Sequence, residues 1–409
     1  MKFLYLNNYY YVRGGSERVF FGEMELMKRN GHQVAGFARS HPTNQPSDYG
    51  YLFPPHIVTA ETRLSWNAIR ATKEMFYSRS ARIGVEQVLS KFKPNIAHVH
   101  NIYGRLSTSI LDVLSERNVP TVMTLHDYKL VCPSYLFLHQ GHICEDCKGG
   151  RFHMAVRNCC HKQSCVASAI VAIESFINDI LDNYRKNIRL FISPSFFLRN
   201  KLIEYGWPAD QIKYVPNFLD LSKFEPKFIP GNFFLYLGRL SKEKGLATLI
   251  CSFLELKNSK AHMVIAGDGP IRVNLEKLVG SDTRIHFTGH LSSDALRDLT
   301  RNALSVVIPS EYYENAPISV IEALAYGKPV IGAAIGGIPD MVKDGVNGFL
   351  FQSGDKKTLT QILYRVLNLT SAQIADMGVA GREKVEQEYS SESHYHQLMR
   401  VYHDVLKEN

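Results

Sequence analysis

No stretch of the 409 residues runs to about 18 uninterrupted apolar side chains, so the sequence offers no membrane-spanning helix. The N-terminus is apolar for only a few residues before Asn7 and Asn8. That is too short for the apolar core of an export signal, and it reads as a first buried strand. With no such signal, the seven cysteines are expected to stay reduced in a cytoplasm. A full G-x-G-x-x-G is missing behind the first strand, which argues against a nicotinamide-cofactor domain. No G-x-x-x-x-G-K-[ST] occurs either, which argues against a P-loop ATPase. There is no short-period repeat and no low-complexity segment.

What is present is an ordinary globular composition, 45% hydrophobic and 21% charged, long enough for two domains with a core each. Short β-branched or aromatic runs alternate with stretches of helical period, the rhythm of parallel βα units. The strand candidates are 3–6, 34–37, 96–100, 121–125 and 190–193, then 233–237, 263–266, 285–287, 305–308 and 330–332. Helical candidates include 17–29, 82–92, 246–256, 271–279 and 318–326. The two halves meet near Tyr205-Gly206-Trp207-Pro208, and Val215-Pro216-Asn217 then opens the second half, a cluster of Pro and Gly expected of a connection between domains. The expectation is α/β: two doubly wound domains, 1–206 and 207–381, facing across a cleft that holds the ligand at the strands' carboxyl ends. The formal charge of +8 suits nucleotide phosphates, a nucleic acid or an anionic membrane, or no partner in particular.

Three segments carry candidate chemistry. Gly14-Gly15 lies between the first strand and the first helix, where a helix N-terminus favours an anion; as a pair of glycines it fits a plain turn as well. Gly238 to Gly245 follows the first strand of the second half, and Arg239 and Lys244 there can grip adjacent phosphates. A solvated charged loop would read the same way. Gly267-Asp268-Gly269-Pro270 closes the next strand as a turn. Downstream, Glu314 falls in a strand-to-helix loop and Glu322 on the helix that follows, where carboxylates can accept hydrogen bonds from sugar or ribose hydroxyls. Tyr312 and Tyr313 add stacking surfaces.

Taken together, Gly14-Gly15-Ser16-Glu17, the run Gly238 to Gly245, Gly267-Asp268-Gly269-Pro270, Glu314-x7-Glu322-Ala323 and Gly327-Lys328-Pro329-Val330 resemble glycosyltransferase family 4, in that family's order over nearly the whole chain. The resemblance implies a GT-B fold of two Rossmann-like domains, with a C-terminal helix (382–409) returning to the first. It implies that Arg239 and Lys244 clamp a diphosphate and that Glu322 binds ribose. It places Glu314 with Asn315 and Ala316 at the donor sugar, Gly15 at the phosphates or acceptor, and His126 beside the reacting centre. Asp127, Gly14 and Gly267 join the substrate-binding set. The loop Glu314-Asn315-Ala316-Pro317 departs from the family's usual glycine-rich form, which leaves the donor sugar open.

Six of the seven cysteines fall between 132 and 165. Their spacing fits a structural zinc held by Cys132, Cys144, Cys147 and Cys160, with Cys159 as alternate to the last and Cys165 and Cys251 as ordinary thiols. A set of free thiols or an iron–sulfur cluster would also fit. A basic, aromatic-laced stretch at 66–92, with Trp66, Ile69, Arg70, Lys73, Arg79 and Arg82, suits either an anionic membrane surface or a core helix with a solvated face.

The expected function is a retaining glycosyltransferase that moves a sugar from a UDP- or GDP-sugar to a glycan or polyprenyl-diphosphate-linked acceptor in cell-surface polysaccharide synthesis. No catalytic metal, organic cofactor or nucleic-acid partner is expected, and the location is the cytoplasm or the inner face of its membrane. The alternatives are an NDP-sugar epimerase of the same fold and, more distantly, a zinc-stabilised nucleic-acid-binding protein.

Overall fold

A computed structural model describes residues 1–56, 72–257 and 260–407. By contacts the chain divides into two units, Met1–Phe137 with Glu145–Val215 and Tyr395–Asn409, and Leu138–Cys144 with Pro216–His394. Each is built on a six-stranded sheet whose pairings are all parallel.

In the first unit the sheet order is β2-β1-β3-β4-β7-β8. It contains β1 Lys2–Leu6, β2 Gln33–Phe37, β3 Ile96–Val99, β4 Thr121–Thr124, β7 Leu190–Ser193 and β8 Ile212–Tyr214. β5 Leu138–His139 and β6 His142–Ile143 form a separate antiparallel hairpin. Parallel strands covered on both faces read as continuous apolar runs, and Phe3, Leu4, Tyr5 and Leu6 are all fully buried. The helix Gly15–Arg29 follows β1. It turns Val19, Phe20, Met24 and Met27 inward and carries Lys28 and Arg29 in its last turn, where the helix dipole favours cations.

The second sheet has the order β11-β10-β9-β12-β13-β14. Its strands are β9 Phe233–Leu237, β10 His262–Ala266, β11 Ile285–Gly289, β12 Ser305–Ile308, β13 Val330–Ala333 and β14 Gly348–Phe351. In both sheets the order reverses beside the first strand of the unit, between β1 and β3 and between β9 and β12. Such a switch point opens a crevice at the carboxyl ends.

Two expectations need correction. The division falls at Val215/Pro216 and not at Gly206, because the short β8, with Lys213 at its centre, pairs with β7 and so belongs to the first sheet. The C-terminal segment is two helices, Ser371–Glu388 and Ser391–Lys407, and not one beginning at 382. The break comes where Leu219 N–H bonds the Tyr389 carbonyl at 2.9 Å and Leu219 bridges Ser390. β14 was not anticipated at all. Of the basic stretch at 66–92, Trp66, Ile69 and Arg70 lie outside the described residues, while the helix Arg79–Phe92 buries Ala81, Val85, Val88, Leu89 and Phe92 as a core element. Among the described residues no helix is long and apolar enough to cross a membrane.

Candidate functional site

In the second unit the chain leaves β9 through Gly238-Arg239-Leu240, makes a short 3-10 turn at Lys242–Lys244 and enters the helix Leu246–Leu254. The loop after β12 arrives beside it. Glu314, buried there, accepts three hydrogen bonds. Lys244 Nζ donates to Oε1 at 2.8 Å, Ser310 Oγ to the same oxygen at 2.6 Å, and Tyr312 OH to Oε2 at 2.8 Å. Lys244 also donates to Tyr312 OH at 2.9 Å and lies 4.9 Å from the centre of that ring. Burial alone would lower the Lys244 pKa; the adjacent Glu314 outweighs it and holds the ammonium above its ordinary value. Lys244 and Glu314, assigned separately to phosphate and sugar, are thus partners of each other. Tyr312, expected to stack, supplies its hydroxyl to the same cluster.

Arg239 is exposed, and no described side chain pairs with its guanidinium. Its backbone is fixed by Tyr236 OH, which donates to the Arg239 carbonyl at 2.9 Å. The floor beneath these residues is main chain on main chain. Gly267 takes φ +136°, and a Cβ there would stand 1.9 Å from the Gly238 carbonyl oxygen. Gly336 takes φ +59°, and a Cβ there would stand 2.1 Å from the Glu314 carbonyl oxygen. Asn217 Nδ2 donates to the Ala316 carbonyl at 3.0 Å, which anchors the loop containing Asn315. Glu322 is half-buried on the helix Ile318–Ala325.

In the first unit Gly14 and Gly15 are exposed at the start of the helix Gly15–Arg29. Gly14 is extended, and the nearest atom to an added Cβ would be Glu17 Oε2 at 4.0 Å, so the fold itself sets no need for glycine there. Glu17 Oε2 already accepts the Gly14 N–H at 3.0 Å, so one of the free N–H groups expected for an anion is taken. His126 and Asp127 stand just past β4. Burial, with His100 adding to it and Glu23 opposing, lowers the His126 pKa to about 3, so the imidazole is neutral. Burial raises Asp127 to about 6, partly offset by Lys129, whose N–H donates to Asp127 Oδ1 at 2.9 Å.

Behind His126 lies a buried polar group that sequence reasoning missed. His126 Nε2 meets His100 Nδ1 at 2.8 Å. Glu23 Oε2 lies 3.4 Å from His100 Nε2 and 3.2 Å from His98 Nδ1. His98 also bonds Tyr402 OH through Nδ1 and Thr124 Oγ1 through Nε2, both at 2.7 Å. The available signal was His98-x-His100, since strand period two puts both on one face, together with Glu23 set among the apolar residues of an amphipathic helix. Glu23, His98 and His100 are the only described group of three or more metal-type side chains with ligand atoms within 4.8 Å of one another.

The cysteine segment also differs from expectation. Cys159 and Cys165 are joined as a disulfide with Cα atoms 4.3 Å apart, so Cys165 is not an ordinary thiol and Cys159 not an alternate ligand. The turn between them, with positive φ at Cys159, Lys162 and Gln163, folds the chain back on itself. Cys147 packs with Phe152, Ala155 and Ala172, and Cys160 lies against that small apolar cluster.

Comparison with known proteins agrees with this layout. The sequence model described as "Glycosyltransferase Family 4" matches residues 13–223, more than half of the chain, and "Glycosyl transferases group 1" matches 220–384. The amylovoran biosynthesis glycosyltransferase AmsK of Erwinia amylovora is 27% identical over 54% of this chain and 60% of its own length. The sulfoquinovosyl transferase SQD2 of Arabidopsis thaliana is 27% identical over 73% of this chain and 54% of its own. The chain therefore spans less than two thirds of these relatives' length. Among solved structures, Anabaena HepE in complex with UDP and glucose superposes with a TM-score of 0.66 at 18% identity, over 99% of this chain and 100% of that one. Sucrose-phosphate synthase from Thermosynechococcus elongatus gives 0.68 at 17%, over the whole of both. The fold is GT-B, and the chain belongs to glycosyltransferase family 4.

Proposed function

We propose that the protein is a retaining glycosyltransferase that uses a nucleoside-diphosphate sugar and a hydroxyl acceptor on a glycan or lipid-linked glycan, in cell-surface polysaccharide synthesis. The observation that carries this is the Lys244–Glu314–Tyr312 cluster at the carboxyl end of the second sheet, beside the exposed Arg239. A cation held in place by a buried carboxylate and a second cation open to solvent make a fixed and an adaptable contact for a diphosphate. As the bond from sugar to diphosphate breaks, negative charge grows on the leaving oxygens, and preorganised cations stabilise it. Glu322 serves the ribose. Neutral His126 serves the sugar, and the acceptor attacks the face the diphosphate leaves, passing its proton to the departing phosphate.

UDP named with HepE, and capsular polysaccharide biosynthesis named for the glycosyltransferase CapM of Staphylococcus aureus, support a uridine nucleotide and a polymer-building role. The same reading places the protein in the cytoplasm, working at the inner face of a membrane that holds the acceptor. Structural zinc at Cys132, Cys144, Cys147 and Cys160 is a separate proposal, supported by the Cys-x2-Cys spacing. Less than about half an equivalent of metal in purified protein would sink it.

A panel of UDP-, GDP- and ADP-sugars tests the function. A donor present at about 100 times its Kd adds roughly 2.7 kcal/mol of stability. The donor that stabilises should then label an acceptor glycan with retention at the anomeric carbon. Stabilisation by none of them overturns the reading. Epimerised sugar without transfer, from donor alone, replaces it with the epimerase.

A further inference from the structure

Every described polar contact behind His126 points one way. His126 reaches the core through Nε2 alone, 2.8 Å from His100 Nδ1, and its Nδ1 has no described protein partner. One proton lies between those two nitrogens, and which ring carries it depends on what His100 faces with its other nitrogen. That neighbour is Glu23 Oε2, 3.4 Å from His100 Nε2, with both side chains buried to within 1%. In so dry a place a bare nitrogen turned toward a carboxylate oxygen sets two lone pairs against each other, whereas an N–H there is attracted. With His100 neutral, its single proton therefore stays on Nε2, and Nδ1 is offered as an acceptor. His126 must then donate from Nε2, and its own Nδ1 is left bare.

We infer that Glu23 is a positioning residue that acts through His100 to fix the tautomer of His126, so that His126 presents an acceptor nitrogen to a hydroxyl of the bound sugar. The chain of contacts runs from the helix Gly15–Arg29 through the end of β3 to the end of β4, and Glu23 itself touches neither donor nor acceptor. The identity of the hydroxyl rests on the proposed transferase function; the tautomer does not. A metal at Glu23, His98 and His100 is the competing use of these atoms. Against it, His98 Nδ1, the nitrogen of that ring nearest Glu23, already bonds Tyr402 OH at 2.7 Å.

The test is 15N spectroscopy of the full chain labelled at histidine, with the His126 signals assigned by their loss in H126Q. Wild-type protein should show His126 with a protonated Nε2 and an unprotonated Nδ1. E23Q should convert His126 to a mixture of tautomers, E23D should restore the wild-type pattern in part, and Y402F, which removes a hydroxyl bonded to His98 and Tyr5, should leave it unchanged. On transfer, E23Q should lower kcat by about 10-fold or more with little change in KM for the donor, as when the group that sets a catalytic imidazole's tautomer is altered. A wild-type His126 protonated at Nδ1 overturns the inference, and this needs no variant to fold. An E23Q protein with an unaltered His126 spectrum overturns it as well, as does stoichiometric metal that E23Q loses. A correct wild-type tautomer in a protein that transfers no sugar leaves the relay standing and removes the transferase reading instead.

Discussion

Lys244→Met is the perturbation that bears most directly on the proposed donor site. It removes two hydrogen bonds, of 2.8 Å to Glu314 and 2.9 Å to Tyr312, and leaves Glu314 with only Ser310 and Tyr312 as donors. Breaking a fully buried ion pair from one side costs about 3–5 kcal/mol, because the remaining charge is stranded. Here the Glu314 side chain is 8% exposed but Lys244 is 25% exposed, so water can reach the space the ammonium leaves. We expect about 2 kcal/mol for K244M. E314Q keeps the shape and strands a cation that water can reach, for about 1 kcal/mol. The double variant strands neither, so its loss should fall short of the sum by at least about 1 kcal/mol. For a body of this size 2 kcal/mol corresponds to roughly 4–8 °C in Tm. The measurement should use far-UV circular dichroism or calorimetry, because Trp66 and Trp207 are the only tryptophans and Pro216–His394 contains neither. Additivity of the three variants to within about 0.5 kcal/mol would refute the coupling, and with it the view of Glu314 as the residue that holds Lys244 in place.

Arg239→Ala should leave Tm unchanged, since the side chain is exposed, yet weaken nucleoside-diphosphate binding in calorimetric titration by about 1.5–3 kcal/mol, the worth of a hydrogen bond to a charged group; equal loss of stability would count against a binding role. Gly267→Ala should cost more than about 2 kcal/mol by urea unfolding, from both the left-handed φ and the 1.9 Å approach to the Gly238 carbonyl. Lys328 is buried with its Nζ donating to the Ile229 carbonyl at 3.0 Å, and burial, with Lys227 and Arg301 adding to it, lowers its pKa to about 8. The unfolded chain binds that proton more tightly, so stability should rise with pH from about 8 toward 10.5 and the penalty, about 3 kcal/mol, should be complete below 8. K328M, after losing a hydrogen bond worth about 1 kcal/mol, should therefore be about 2 kcal/mol more stable than wild type at pH 7 and lose that lead by pH 10. A lead independent of pH would show that the lysine is not the source.

The strands that were legible in the sequence are those whose burial on both faces makes them continuous apolar runs, such as Phe3 to Leu6 and Val306 to Ile308. β8 escaped because three residues with a lysine at the centre carry no such run, and that in turn misplaced the boundary. The C-terminal break escaped because it is set by Leu219, far away in sequence, bonding Tyr389. In the site, Arg239, Lys244 and Glu314 could be named because they stand at strand ends in a known order, but their mutual pairing could not, since it depends on where two loops meet. Glu23 was hidden for a related reason. One of three glutamates on an amphipathic helix looks like a solvated position until the two histidines it faces are brought in by a different strand.

The glycine-bounded contacts under Arg239 and Glu314 also bear on how the proposed donor site could be re-specified. Where Gly267 meets the Gly238 carbonyl and Gly336 meets the Glu314 carbonyl, peptide planes touch with no side chain between them. Any larger residue there collides with backbone that has nowhere to go, so libraries that randomise these positions would return mostly misfolded protein. Variation must come from what stands on that base, at Tyr312, Asn315 and Ala316. A campaign to change the donor would do better to mutate those three and leave the glycines alone.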